Sequence, residues 1–442
     1  MANFKIKKGV DLCLKGAIAG NAVIPAQPSE SFAVVPDDYT GIIPRLDVKE
    51  GAEILAGDAL FHDKDHPEIK VTSPVSGVVA SVVRGERRKI LSIIITPSSA
   101  QKAKKFAVKK GDVKDLLLES GLWACLRQRP YDIVPAPDVK PRDIFVTAFD
   151  STPLAPDLML LIDGKSKQVQ AGIDALASLT DGAVYVGIKP GQQLNVTNCI
   201  LNTFAGPHPA GNAGVQINKV KPINKGETVW ALDIVTVARI GQLLTDGIVP
   251  FDTIVAVAGE SVIQPRYVKA TMGCQIESII SNNIIDADNA RIISGNPLTG
   301  VKVEANGYLQ FPYRQVTVIP EVKNDAEFMG WASLSPRKFS LRHSFTHWLI
   351  PGKRPASFDA KINGGVRAII MSDEYSKLFP MDIYPEFLIK AIIAFDIDKM
   401  EQLGIYEVAP EDFALCEFAD TSKLELQKIV REGLDKLRKE MN

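Results

Sequence analysis

From residue 113 to residue 244 the chain alternates between two hydrophobic periods, and that alternation restricts its fold more than anything else in the sequence. VKDLLLES places Val113, Leu116 and Leu117 at helical spacing and stops at Gly121, whose missing Cβ suits a left-handed helix cap. The short apolar run IFVTAF follows, then a helical stretch from Val169 to Leu179, the run AVYVGI, and a second helical stretch from Asp233 to Leu244. Apolar runs of strand length separated by helices predict an α/β layer structure on a largely parallel sheet.

The flanking segments read differently. Residues 30 to 98 are short apolar runs divided by Gly, Pro and Asp, which predicts an all-β module, and the Lys-rich stretch TPSSAQKAKKFAVKKGD after it reads as a linker. Residues 253 to 280 give two strands around a Gly/Pro turn and then a helix, a small α+β unit. Beyond Phe328 the chain reads as mainly helical, ending in a helix with Leu426, Ile429, Val430, Leu434 and Leu437 on one face. The expected division is therefore 1–104, 105–252, 253–327 and 328–442. With 442 residues, 46% of them hydrophobic, there is ample material for several cores.

Charge and cysteine content exclude several function classes. A formal charge of −1 provides no global field for nucleic acid, so no nucleic-acid partner is expected. The five cysteines, Cys13, Cys125, Cys199, Cys274 and Cys416, are scattered with no C-x-x-C pair, which predicts reduced thiols and no metal site. Neither a signal peptide nor a membrane-length apolar run is read, so membrane association is expected to come through a partner.

Family resemblance enters through particular motifs. GAEILAGDALF (51–61) and TSPVSGVVASVVRGERRK (72–89) resemble the barrel-sandwich module of biotinyl and lipoyl carriers, with Gly57 and Gly77 where the backbone turns or approaches closely. The hairpin HDKDHPEIK lacks the Met-Lys-Met context of a modified lysine, so Lys64 is expected to remain unmodified. Taken in order, SPVSG, ESGLW, RQRP, GPHPAG and the stretch from Trp331 to Trp348 make the whole chain resemble the A subunits of the Na(+)-translocating NADH:quinone reductase (Nqr). More distantly it resembles the C subunit of the Rnf complex and the 51-kDa flavoprotein of respiratory complex I.

The resemblance implies four units: a barrel-sandwich hybrid, a Rossmann-like flavoprotein-type domain, a β-grasp domain of the soluble-ligand-binding kind and a helical C-terminal domain. It implies a peripheral protein on the cytoplasmic face of the bacterial inner membrane. Its partners would be the B, C, D, E and F subunits of the Nqr complex, chiefly the membrane-embedded B subunit. That complex passes electrons from NADH to ubiquinone while exporting Na(+). It uses FAD, FMN, riboflavin and iron–sulfur centres; none is expected on this chain, and no residue of it is expected to be catalytic.

Departures from the catalytic relatives support that expectation. Where the complex I relative has a glycine loop that approaches the flavin phosphate, this chain has GLWACLRQRPYDIVPAPD, and the following strand keeps only Asp150 of the relative's acids. Where the Rnf relative carries cysteine runs for clusters, Cys416 alone remains, and a tetranuclear cluster needs about four thiolates. The altered cleft leaves two readings: a quinone pocket walled by Arg127, Arg129 and Tyr131 with His208 as a donor, or a plug supporting a contact within the complex, with His208 in an ordered turn. SLSPRKFSLRHSFTHWLIPGKR (333–354) interleaves cations with aromatics, so Arg337, Lys338, Arg342 and Trp348 are expected to form a docking surface. In a helix there, His343 and His347 would share a face. A flavin- and cluster-carrying member of an Rnf-type or complex I-type assembly is the competing class.

Overall fold

The computed structural model describes residues 2–109, 111–321, 339–341, 343, 345–349, 354–362 and 365–441. Its centre is a six-stranded sheet in the order Ala2–Lys5, Ile200–Ala205, Val184–Ile188, Asp143–Thr147, Val229–Asp233, Arg127–Arg129. The first five strands run parallel and the last antiparallel. Alternate residues of Asp143–Thr147 serve opposite faces: Ile144 and Val146 join the large core with Val169, Ile173 and Val237, whereas Phe145 packs with Ile217 and Ile223. A strand buried on both faces has to be apolar throughout, which is why IFVTAF carries no alternation.

Local chemistry sets the helix ends. Asp233 closes its strand and caps the next helix, Ile234–Asp246, by accepting from Thr236 N–H at 2.9 Å. That helix ends at Gly247 with φ 69°, and the helix Val113–Ser120 ends at Gly121 with φ 80°, as the sequence predicts.

Two β layers flank the central sheet. The first packs antiparallel strands in two sheets, Phe32–Val34, Ile90–Pro97, Gly77–Arg84 and Glu53–Ile54 against Pro44–Leu46, Ala59–Asp63 and Lys70–Thr72. A Cβ on Gly77 would stand 2.0 Å from Thr96 O, so this strand accepts only glycine there. The second is a mixed six-stranded sheet in the order Val301–Val303, Ala290–Ser294, Gln315–Pro320, Asp252–Ala258, Arg266–Thr271, Val23–Pro25, with the short helix Ile276–Ile280.

The chain's first segment belongs to neither barrel sheet, although its sequence position places it in the 1–104 unit. Ala2–Lys5 extends the central sheet, Leu12 and Leu14 enter the C-terminal core, and Val23–Pro25 adds an edge to the mixed sheet. It acts as a strap across three units, because its short apolar runs are satisfied only by neighbours distant in sequence.

The C-terminal unit is helical. Leu426, Val430, Leu434 and Leu437 of the helix Leu426–Met441 are buried, while Ile429 is partly covered. Cys416 lies inside this core among Tyr375, Phe413 and Leu415, and burial pushes its thiol far above the ordinary range. No helix among the described residues is long and apolar enough to cross a membrane.

Candidate interdomain site

Strand order reverses between Asp143–Thr147 and Val229–Asp233, whose last residues Thr147 and Asp233 are register partners. In open parallel sheets the crevice beyond such carboxyl ends is where ligands bind. Several charged side chains from distant parts of the chain gather near this end of the sheet. From the central sheet come Asp150, just past its strand, and Asp233. From the mixed sheet comes Arg314, whose Nη1 lies 3.0 Å from Asp233 Oδ2 and whose Nη2 donates to Thr236 Oγ1 at 3.2 Å.

Asp38 and Tyr39 enter from the barrel side. Asp38 Oδ2 accepts from Phe311 N–H at 2.9 Å, and Tyr39 stacks on the Phe311 ring with centroids 5.1 Å apart. The C-terminal unit contributes Glu411 and Asp412.

Their surroundings shift several of these carboxyl groups. The Asp150 residue remains in contact with solvent, yet burial raises its carboxyl above the usual range, with Asp233 adding to the rise and Arg314 opposing it. Glu411 is similar: its side chain is 45% exposed, while burial and then the charge of Asp412 lift it to about 8. Asp150 is itself among the charges raising Glu411. Burial also raises Asp38 to about 7, against the Phe311 N–H and the Arg127 guanidinium. Asp233 alone is held below the carboxylate range despite its burial, by Arg314 and by the N–H of Thr236.

The four residues expected around a quinone do not converge. Arg127 is tied to the backbone: Nη2 donates to Asp38 O at 2.9 Å and Nη1 to Ala124 O at 3.2 Å, with the guanidinium 5.8 Å from the Phe311 centroid. Arg129 is buried and donates to Asp412 Oδ2 at 2.9 Å, Glu411 Oε1 at 3.1 Å and Glu407 O at 3.1 Å. Burial would lower its pKa, but Asp412, Asp132 and Glu411 more than offset that. Tyr131 takes φ 76°, its carbonyl accepts from Arg431 Nη2 at 2.7 Å, and its ring meets the edge of Tyr406. His208 is buried, with Nδ1 3.0 Å from Ser151 Oγ and its backbone N–H donating to Asp11 Oδ1 at 3.0 Å.

Much of the segment 121–131 is packed against the rest of the chain. Leu122–Cys125 forms a 3-10 turn, Arg127–Arg129 pairs antiparallel with Val229–Ala231, and Trp123 and Leu126 point into the core. At the N-terminus of the helix Ala213–Val220 an anion is favoured by free N–H groups and the helix dipole. Asp412 stands there: a Cβ on Gly214 would lie 2.5 Å from its Oδ2.

Known proteins resemble this chain in sequence over nearly its whole length. Residues 4–98 match the family described as "NqrA N-terminal barrel-sandwich hybrid domain", 108–249 "NqrA second alpha/beta domain", and 254–305 "NQRA C-terminal domain". Relatives named as the A subunit of the Na(+)-translocating NADH-quinone reductase are 36% identical in Serratia proteamaculans, 35% in Vibrio anguillarum and 33% in Neisseria meningitidis. The alignments cover 98–99% of this chain and 99% of each relative. The chain belongs to the NqrA family. A solved NAD+-reducing NiFe-hydrogenase in the air-oxidized state aligns over 74% of this chain and 63% of its own, at 14% identity and a TM-score of 0.39, too low to carry an argument.

Within this NqrA family member, the described residues include no group of three or more His, Cys, Asp or Glu side chains arranged to hold a metal ion. Of the expected docking residues, Arg337, Lys338 and Arg342 lie outside the described residues, and Trp348 is exposed. His343 and His347 do not share a helical face: only Thr346–Leu349 forms a 3-10 turn, His343 stacks on Trp348 at 4.8 Å, and His347 faces Phe339. Sequence reasoning missed Asp38, Arg314, Glu411 and Asp412. Only the Asp233 cap, three residues before Thr236, had a local signal.

Proposed function

We propose that this chain is the peripheral A component of a Na(+)-translocating NADH:ubiquinone reductase, and that its task is to assemble the complex and not to carry electrons. The observation that carries this reading is the match over essentially the whole chain to relatives of that name. In this reading the units are the barrel-sandwich, a Rossmann-like domain, a β-grasp domain and the helical C-terminal domain, divided near 105, 253 and 328. The strap formed by the first 25 residues is shared among them. The chain sits on the cytoplasmic face of the inner membrane, docks chiefly on the membrane-embedded B subunit, and leaves FAD, FMN, riboflavin and iron–sulfur centres to the B to F subunits.

The residues gathered at the Thr147 and Asp233 end of the central sheet do not suit a flavin. A phosphate there would meet the acids Asp150, Glu411 and Asp412. Quinone contact narrows to the surroundings of Arg127, where Tyr39 and Phe311 provide a stacked aromatic wall beside the protonatable Asp38. Affinity purification of the tagged chain from a membrane extract tests the reading. Co-purification of the other reductase subunits with a chain that is colourless on its own is the expected result. A yellow isolated chain, or one recovered without those partners, overturns it.

A further inference from the structure

The helical C-terminal unit carries an open groove of about 460 Å³ beside the start of the helix Pro385–Ala394. Met371, Tyr384 and Phe387 line it with side chains that face water: the three residues are 45%, 69% and 55% exposed. The rings of Tyr384 and Phe387 meet edge to face, with centroids 6.2 Å apart. The segment 365–371 that leads to Met371 also exposes Val366 and Ile370. Bare aromatic and aliphatic surface beside a groove marks an interaction site.

Acids dominate the charged lining. Asp373, Asp382 and Glu386 border the groove with a single cation, Lys8 of the N-terminal strap. Among the described residues Lys8 forms an ion pair with none of the three, and the neighbouring Lys377 is held by Glu374 at 2.9 Å. Asp373 and Asp382 are exposed, but Glu386 is 95% buried, with 5% of its surface left to solvent. Its one donor among the described residues is Ser372 Oγ, 3.4 Å from Oε1, while Oε2 has none and keeps some accessible surface. A carboxylate in the first turn of a helix is favoured by the dipole, which accounts for its position but supplies no counter-ion. Enclosing an anion without a cation is costly, and an arriving cation relieves that cost.

We propose that this groove receives an arginine side chain from an apolar segment of a protein partner, with the guanidinium on Glu386 and against the rings of Tyr384 and Phe387. Arginine fits the chemistry better than lysine, because its planar fork pairs with a carboxylate through two bonds while its face lies on an aromatic ring. The exposed Val366, Ile370 and Met371 give the flanking apolar residues of such a segment a surface to cover. The assignment rests on these groups and not on the chain's place in the reductase.

The probe is the peptide Leu-Val-Gly-Arg-Leu, amidated and carrying a neutral nitrobenzoxadiazole label at its N-terminus, followed by fluorescence anisotropy against the full chain. Saturable, one-to-one binding is expected, and replacing its arginine by neutral citrulline should weaken it at least about tenfold. Glu386→Gln keeps the shape of the side chain but removes its charge, and should cost the arginine peptide a similar factor. Phe387→Ala removes an exposed ring and should weaken binding about twofold to fivefold. Both variants are first shown to melt as cooperatively as the parent; if Glu386→Gln does not, Phe387→Ala at its exposed position decides. Absent or non-saturable binding, or equal binding of the citrulline peptide, overturns the proposal. Full affinity for the arginine peptide in either folded variant places it elsewhere on the chain and overturns the proposal as well.

Discussion

Arg129 of the central sheet and Asp412 of the helical unit meet at 2.9 Å with side chains only 2% and 1% exposed, across 283 residues of sequence. Two charges so enclosed contribute little net stability as a pair, because their desolvation offsets their attraction, but either one alone is strongly destabilising. Arg129→Met should therefore cost about 3–5 kcal/mol in denaturant unfolding. The double variant Arg129→Met/Asp412→Leu should recover most of that loss. If the double variant is as unstable as the sum of its singles, the two residues do not form a coupled pair.

Glu411 gives this junction a pH dependence of defined sign. Its carboxyl is raised to about 8 in the folded chain, so the fold holds a proton that the unfolded chain releases near the ordinary glutamate range. The resulting stability is fully present below that range and is lost as pH rises through about 8. Asp38, raised to about 7, acts in the same direction. Chemical unfolding should show stability falling between about pH 5 and 8.5, and Glu411→Gln should flatten part of that slope. An unchanged slope in the variant would assign it to other groups.

His208 works in the opposite direction. Burial lowers its ring to about 4, so the unfolded chain binds a proton that the folded chain refuses between about 6.5 and 4. Stability is lost as pH falls through that interval, by at most about 3 kcal/mol for a shift of this size. Nε2 has no partner among the described residues, and the Asp11 carboxylate, the nearest opposing charge, only softens the effect. His208→Asn should remove the acid-side slope. If quinone affinity of the assembled complex is unchanged in that variant, the residue belongs to the turn.

What can be read from sequence follows the range of the interaction. Gly121 and the Asp233 to Thr236 cap are legible because cause and effect lie within one helical turn. The parallel sheet is legible because a strand buried on both faces, such as IFVTAF, loses its polar alternation. Nothing local marks Glu411 and Asp412 as the partners of Arg129, since acidic residues beside a proline are ordinary helix-start chemistry. The surroundings of Tyr131 and His208 are not legible locally either, because the backbones of both are held by residues distant in sequence, Arg431 and Asp11.

The helix pair Ser166–Ser178 and Ile234–Asp246 offers a test in which two effects oppose each other. Gly241 and Gly172 allow the backbones to touch: a Cβ on Gly241 would lie 1.7 Å from Gln168 O, and one on Gly172 would lie 2.1 Å from Val237 O. Replacing a helical glycine by alanine gains about 1 kcal/mol from helix propensity. Forcing a methyl group against backbone separates the helices, and overpacking of this kind costs about 1–3 kcal/mol or more. The obstacle is a carbonyl of the partner helix and not the far end of a side chain, so it cannot rotate away and the second effect prevails. Gly241→Ala should lower Tm by several degrees, with Gly172→Ala similar. Because both act on one interface, the double variant should lose less than the sum. A Gly241→Ala chain melting at or above the parent temperature would mean that these helices do not approach as closely as described.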